Sequence, residues 1–215
     1  MAAKRPRVLI VDDHPVVRMG LRALIERSGR YEVCGEAGTP TEALKLAARE
    51  QPDLLILDLM LGARGGADFT AECLRHAPAA RVVVLSQHDE ALYAERVLAA
   101  GARGYLMKGE ELEGVVDALA AVMRGEIVLS PRMNARILGG HFHGAAADRY
   151  SGLSNREMQI FLLIGAGRTT GEIAAELGLS PKTVGAHREH IKTKLGLATA
   201  AELEREALLH VERTG

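Results

Sequence analysis

Cysteine is scarce: Cys34 and Cys73 are the only two in 215 residues, and both lie in core-like runs. A disulfide framework is therefore excluded, and buried thiols in a reducing cytosol are expected. No apolar stretch is long enough to span a bilayer. Met1–Arg7 is short and basic and the run after it stops at Asp12, so nothing resembles an export signal. A cytoplasmic protein that does not touch membranes is expected. Charge of one sign is lacking too, with a formal net of -1. Residues 1–130 carry 16 basic against 19 acidic side chains, and residues 151–215 carry eight of each. Nucleic acid is thus not announced by overall charge, and any such function needs a local patch.

The length suits two modest domains. Short apolar runs alternate with segments of helical period through the first 125 residues, the pattern of a doubly wound α/β domain. Strands are predicted near 7–11, 31–35, 53–57, 81–85 and 103–107, with helices near 15–28, 40–49, 66–76, 89–100 and 111–124. Leu54–Leu57 and Val82–Leu85 show no polar alternation, as expected of parallel strands covered on both faces. After Gly125 the rhythm changes. Ser130-Pro131 can start a short helix, and the glycine-rich stretch from Gly139 to Asp148 reads as a tether. His141 and His143 lie within it without the further ligands of a usual metal site. From Ser151 the text is helical, with starts at Ser154, Thr169 or Thr170, Ser180 and near Thr199. The expected domains are residues 1–126, a linker over 127–149, and a small all-α domain over 150–215.

Four of the five predicted strands end in residues suited to phosphoryl or metal chemistry: Asp12-Asp13, Asp58, Ser86 and Lys108. The carboxyl ends of parallel strands share one edge, where ligands bind, so these residues should meet. Phosphoryl transfer to a carboxylate needs a nucleophile, a cation for the phosphoryl oxygens, and donors that hold them. Asp58, alone after a fully apolar strand, suits the nucleophile. Asp12 and Asp13 supply the hard oxygens that Mg²⁺ prefers. Lys108 offers a point charge and Ser86 a hydroxyl for phosphoryl oxygens. Any one of these residues alone is more often a cap or a loop residue; their joint occurrence at strand ends is not.

The segments VLIVDDHPVVRMG over 8–20, Leu55–Leu59, Val84-Leu85-Ser86 and Gly101–Lys108 resemble the receiver domain of bacterial two-component response regulators. The resemblance implies a flavodoxin-like five-stranded receiver in which Asp58 is the phosphoacceptor. It also implies that Asp13, the Asp58 carboxylate and the Met60 carbonyl bind Mg²⁺, with Asp12 acting partly through water. Ser86 and Lys108 would grip the phosphoryl group, and Tyr105 would be the aromatic that changes position on activation. Leu61-Gly62 replace the Met-Pro common in the family, although Gly66 keeps the glycine expected further on. Gln87 stands where a small residue is frequent, and Gly109 where Asp or Pro is.

In the second half, Ile160, Leu163 and Ile164 share one helical face, and Ile173, Ala174 and Leu177 another. Gly178 ends that second helix, and Ser180-Pro181 opens a third with an N-cap and a first-turn proline. Two short helices about a glycine turn form a helix-turn-helix, whose second member can enter the major groove. Val184, Ile191 and Leu195 line the inner face of the helix from Pro181 to Leu195, with His187 at its border in a packing role. Lys182, Ala186, Glu189 and Thr193 centre on the outer face, flanked by Thr183, Gly185, His190 and Lys192. Arg188 lies nearer the inner edge, with its head able to reach a phosphate. Four cations, Lys182, Arg188, Lys192 and Lys194, against Glu189 supply the local patch.

From Leu153 through Glu172–Leu177 and Ser180–Val184 to Ile191–Gly196 the chain closely resembles the LuxR-type DNA-binding domain of NarL/FixJ response regulators. That implies contacts to double-stranded DNA from Lys182, Thr183, Gly185, Ala186, Arg188, Glu189 and Lys192. It also implies a homodimer, through the receiver or through residues 199–211, where Leu203, Ala207 and Val211 recur at helical spacing. The whole reads as a transcription regulator that receives phosphate from a sensor histidine kinase and is not a turnover enzyme. Two other readings compete: a regulator whose receiver serves dimerisation or ligand sensing without phosphate, and a phosphatase using Asp58. Against the second stands Met60, where such enzymes often carry an acid.

Overall fold

In a computed structural model of the chain, the five apolar runs pair into one parallel sheet in the order β2-β1-β3-β4-β5. The structure describes residues 5–61, 65–87, 90–108, 114–136, 149–150 and 152–214. Gly62, Gly109, His141 and His143 lie outside them. The chain forms two compact units, Met1–Ala145 and Ala146–Gly215.

The strands are β1 (Arg7–Val11), β2 (Glu32–Ala37), β3 (Leu54–Asp58), β4 (Arg81–Ser86) and β5 (Ala102–Met107). Between and after them run α1 (Pro15–Arg27), α2 (Pro40–Glu50), α3 (Gly66–His76), α4 (Glu90–Ala99) and α5 (Val115–Met123). This is the doubly wound, flavodoxin-like arrangement. Every residue of β3 is buried, because the central strand has helices on both faces. One side of the sheet packs Val8, Ile10, Ile56, Val83 and Leu85 against Leu21 and Ile25 of α1 and Leu119 and Val122 of α5.

β2 begins and ends later than the sequence predicts. It is an edge strand, mostly half-buried, with Gly35 in its interior and a register shift against β1 between Val8 and Leu9. Such a strand carries little of the apolar signal that marks a central one. Cys73 is buried and its thiol is pushed up to about 12 by desolvation; Cys34 is half-buried, and both are free thiols.

The segment expected as a linker starts with ordered structure. Val128 bridges Gly104 in parallel, with Val128 N donating to the Arg103 carbonyl and Tyr105 N donating to the Val128 carbonyl, both at 2.9 Å. Ser130 N then donates to Glu90 Oε1 at 2.9 Å, and Ser130 Oγ accepts from Met133 N at the start of α6 (Pro131–Arg136). Leu129 and Met133 are buried.

The second unit holds α7 (Asn155–Gly165), α8 (Thr170–Leu177), α9 (Pro181–Leu195) and α10 (Ala200–Thr214). Ser154 and Thr169 each cap a helix reciprocally with the glutamate three residues on, Glu157 and Glu172. Gly178 and Gly196 close α8 and α9 in the left-handed conformation, at φ of 63° and 67°. Ile160, Phe161, Ile164, Ile173, Val184, Ile191, Leu195, Leu203 and Ala207 form its core.

Candidate functional site

The order β2-β1-β3 reverses direction between β1 and β3, which opens a crevice at the carboxyl ends of these two strands. β1 delivers Asp12 and Asp13 there, and β3 delivers Asp58. Asp12 and Asp58 are buried, at 1% and 4% exposure, while Asp13 faces solvent. Lys108, just beyond β5, reaches into the crevice: its Nζ lies 2.7 Å from Asp12 Oδ2 and 2.9 Å from Asp58 Oδ1. Its backbone N–H donates to the Ser86 carbonyl at 2.6 Å, so the ends of β4 and β5 are tied together. Ser86 is buried at the end of β4. Met60 N donates to Asp58 Oδ1 at 3.4 Å.

Burial raises the Asp58 pKa, opposed by the Lys108 charge and reinforced by Asp12. Lys108 shows the converse balance. Burial draws its pKa down, but attraction and hydrogen bonds to Asp58 and Asp12 outweigh that, and the net shift is upward. The lysine is thus held charged between two carboxylates, in the place where an incoming anion would meet it.

His14 is a neighbour that sequence reasoning missed. Its Nδ1 lies 2.7 Å from Asp13 Oδ1 and 3.2 Å from Asp12 Oδ1, and its backbone N–H donates to Asp12 Oδ1 at 2.9 Å. Direct succession to the acidic pair was the signal available. Ligand atoms of Asp12, Asp13, His14 and Asp58 all lie within 4.8 Å of one another, so the cluster can hold a metal ion. Its carboxylate oxygens are the donors a hard cation takes. Tyr105 is buried in β5, two strand positions from its end, with its N–H on Val128.

On α9, Lys182, Thr183, Ala186 and Glu189 are exposed, while Gly185, Arg188 and Lys192 are half-buried. A side chain at Gly185 would meet open space. The cationic patch is less free than its charges alone imply. Arg188 Nη2 pairs with Glu204 Oε1 of α10 at 2.8 Å, Lys194 Nζ with Glu157 Oε2 of α7 at 2.6 Å, and Lys192 Nζ with Glu189 Oε2 at 2.9 Å. Among the described residues Lys182 alone of the four takes no ion pair. The stripe Leu203, Ala207, Val211 does not offer a free dimer face either: Leu203 and Ala207 are fully buried, in a helix packed on α7, and the exposed leucines of α10 are Leu208 and Leu209.

Known proteins share both halves. Residues 8–120 match the response regulator receiver domain, and residues 151–207 match the bacterial regulatory proteins of the luxR family. The response regulator GacA of Pseudomonas aeruginosa is 35% identical over 95% of this chain and 96% of its own. The transcriptional regulatory protein LiaR of Bacillus subtilis is 35% identical over 89% of this chain and 92% of its own. Among solved structures, RcsB of Salmonella enterica serovar Typhimurium, bound to promoter rprA with phosphomimetic BeF₃⁻, aligns with a TM-score of 0.60. It is 25% identical over 94% of this chain and 98% of its own. The fold and the acidic crevice define a receiver, and the caps and turns of the second unit a helix-turn-helix. The chain belongs to the two-component response regulators of NarL/FixJ type, in which a receiver is joined to a LuxR-type DNA-binding domain.

Proposed function

We propose that Asp58 accepts a phosphoryl group from a phosphohistidine of a sensor histidine kinase, and that the modified chain regulates transcription as a DNA-bound dimer. The observation that carries this reading is the buried Lys108 ammonium shared by Asp12 and Asp58. In the transfer, an Asp58 carboxylate oxygen forms the new O–P bond as the N–P bond of the donor breaks. The donor imidazole keeps the electron pair and takes up a proton. Lys108 then exchanges Asp58 for a phosphoryl oxygen, and Ser86 donates its hydroxyl to another. Asp12, Asp13, Asp58 and the Met60 carbonyl would hold Mg²⁺, which when bound neutralises charge on the phosphoryl oxygens.

Pro15, Val16, Met19 and Gly20 leave an exposed apolar surface on α1 beside this pocket, with Val16 at 80% and Met19 at 69% exposure. Such a surface suits the docking of a kinase. Tyr105 carries the change along β5. On DNA, Lys182, Thr183, Gly185, Ala186, Arg188, Glu189 and Lys192 face the groove, and Leu208 with its neighbours on α10 or the receiver joins the two copies. The receiver spans residues 1–126, the linker 127–149 and the DNA-binding domain 150–215. The chain works in the cytoplasm and promotes its own phosphorylation without turning over a substrate.

The test is labelling by a small phosphodonor with and without Mg²⁺. Acid-labile phosphate should form only with the metal and should vanish in Asp58→Asn; equal labelling of that variant and wild type would overturn the assignment.

A further inference from the structure

The helix-turn-helix unit contains a second convergence of ligand-type side chains, used neither by the phosphoacceptor pocket nor by the groove-facing surface. His187 and His190 stand one turn apart on α9, with ring centroids 6.4 Å apart and planes at 86°. Glu157, in the first turn of α7, faces them. One ligand atom from each of the three lies within 4.8 Å of the other two.

The details of each side chain suit ligation. Glu157 is buried, and its Oε2 accepts from Ser154 N at 2.7 Å and from Lys194 Nζ at 2.6 Å. These bonds orient the carboxylate in the way outer-shell partners orient a metal-binding one. The Ser154 hydroxyl adds a further hydrogen bond to the same carboxylate. His187 Nδ1 is enclosed with no hydrogen-bond partner, an arrangement that folding penalises unless something satisfies it. Burial draws the His187 pKa down; Glu157 opposes this, while His190, Arg156 and Lys194 reinforce it. Burial thus favours the neutral imidazole, the form that ligates. His190 is exposed, which leaves a path for the ion and room for a water.

Two imidazoles and one carboxylate select a borderline ion over Mg²⁺ or Ca²⁺. A tetrahedral zinc ion with bonds of about 2.0–2.2 Å sets its ligand atoms roughly 3.4 Å apart. Rotation of the exposed His190 side chain closes the remaining gap. We propose that Glu157, His187 and His190 form a binding site for a zinc-class divalent ion, which pins the first turn of α7 to the middle of α9. Occupancy stiffens the helix proposed as the DNA reader, through a route separate from Asp58.

The test is a titration of the full-length protein with Co²⁺ in excess Mg²⁺, followed through the visible absorption of tetrahedral Co²⁺, then displacement by Zn²⁺. One equivalent should bind, and His190→Ala should weaken binding by on the order of a hundredfold or more. His190 is exposed, so this variant keeps its helix content and its metal-free melting temperature. Asp13→Ala and the double change His141→Ala with His143→Ala should leave the affinity as it is, which separates this site from the receiver and the glycine-rich segment. Zn²⁺ should raise the melting temperature of wild type and leave that of His190→Ala in place. Unchanged affinity in His190→Ala, octahedral Co²⁺ only, or loss of binding in either control variant would overturn the proposal.

Discussion

Asp58 sits where a carboxylate is costly to ionise, and Lys108 with the Met60 N–H only partly offsets its burial. A carboxyl group whose folded pKa is raised above its unfolded value adds stability below the unfolded pKa and loses it as pH rises through the folded one. Asp58→Asn removes that loss. The variant is expected to be at least as stable as wild type at pH 7, with the margin shrinking as pH falls through the carboxylate range; thermal melts across pH check this. A variant much less stable than wild type at neutral pH would show that the Lys108 contact dominates the burial of Asp58. Lys108→Ala leaves Asp12 and Asp58 facing each other without their cation, and cuts the link from the pocket to β5. It should keep some metal affinity yet uncouple phosphorylation from DNA binding. Operator affinity measured with and without phosphodonor decides: equal phosphate-induced gains in variant and wild type would exclude the coupling role.

At the scale of elements, two glycines mark where helices and loops approach too closely for any side chain. A Cβ at Gly165 would stand 2.4 Å from the Ala207 carbonyl oxygen and 2.7 Å from Val211 Cγ2. Gly165→Ala should force α7 from α10 and cost about 1–3 kcal/mol, read from denaturant unfolding of the second unit. A Cβ at Gly65 would lie 2.2 Å from the Leu59 carbonyl, just after the phosphoacceptor. The sequence shows a family-like glycine next to it at 66, but this backbone approach is invisible without the fold. The central strands were legible because buried parallel strands are written as unbroken apolar runs; Leu54–Leu57 and Val82–Leu85 could be little else. The acidic crevice was legible for the same reason, since strand ends locate its members. The resemblance implies a dimer through the last helix, but the periodicity of the stripe on α10 reports only that a face is covered and not by what; here α7 covers it. The α9 cations are plain in the sequence, but their partners Glu157 and Glu204 come from other helices, far along the chain.

Those ion pairs bear on how the whole molecule meets DNA. Removing one phosphate-binding cation lowers the log-log salt dependence of binding by about one unit. Lys182→Ala should therefore reduce the slope by about one unit, because that lysine brings an uncommitted charge. Arg188→Ala should change it less, since Glu204 already neutralises the guanidinium. Glu204→Gln should strengthen binding to operator and random sequences alike. Isotherms across a salt series check all three, and a larger slope change for Arg188→Ala than for Lys182→Ala would show that the arginine leaves Glu204 on binding.

The parallel bridge between Gly104 and Val128 fixes one further property of the molecule. Because Val128 runs in the same direction as β5, the polypeptide departs from the sheet at its carboxyl edge, the edge that carries the acidic crevice. An antiparallel exit would have sent it off at the opposite rim. The tether to the second unit is thereby anchored by its first residues to the shoulder of the pocket, through Glu90 of α4 on one side and Tyr105 of β5 on the other. The covalent thread thus leaves the domain at the rim of the pocket, tied to α4 and β5 rather than to the far end of the sheet.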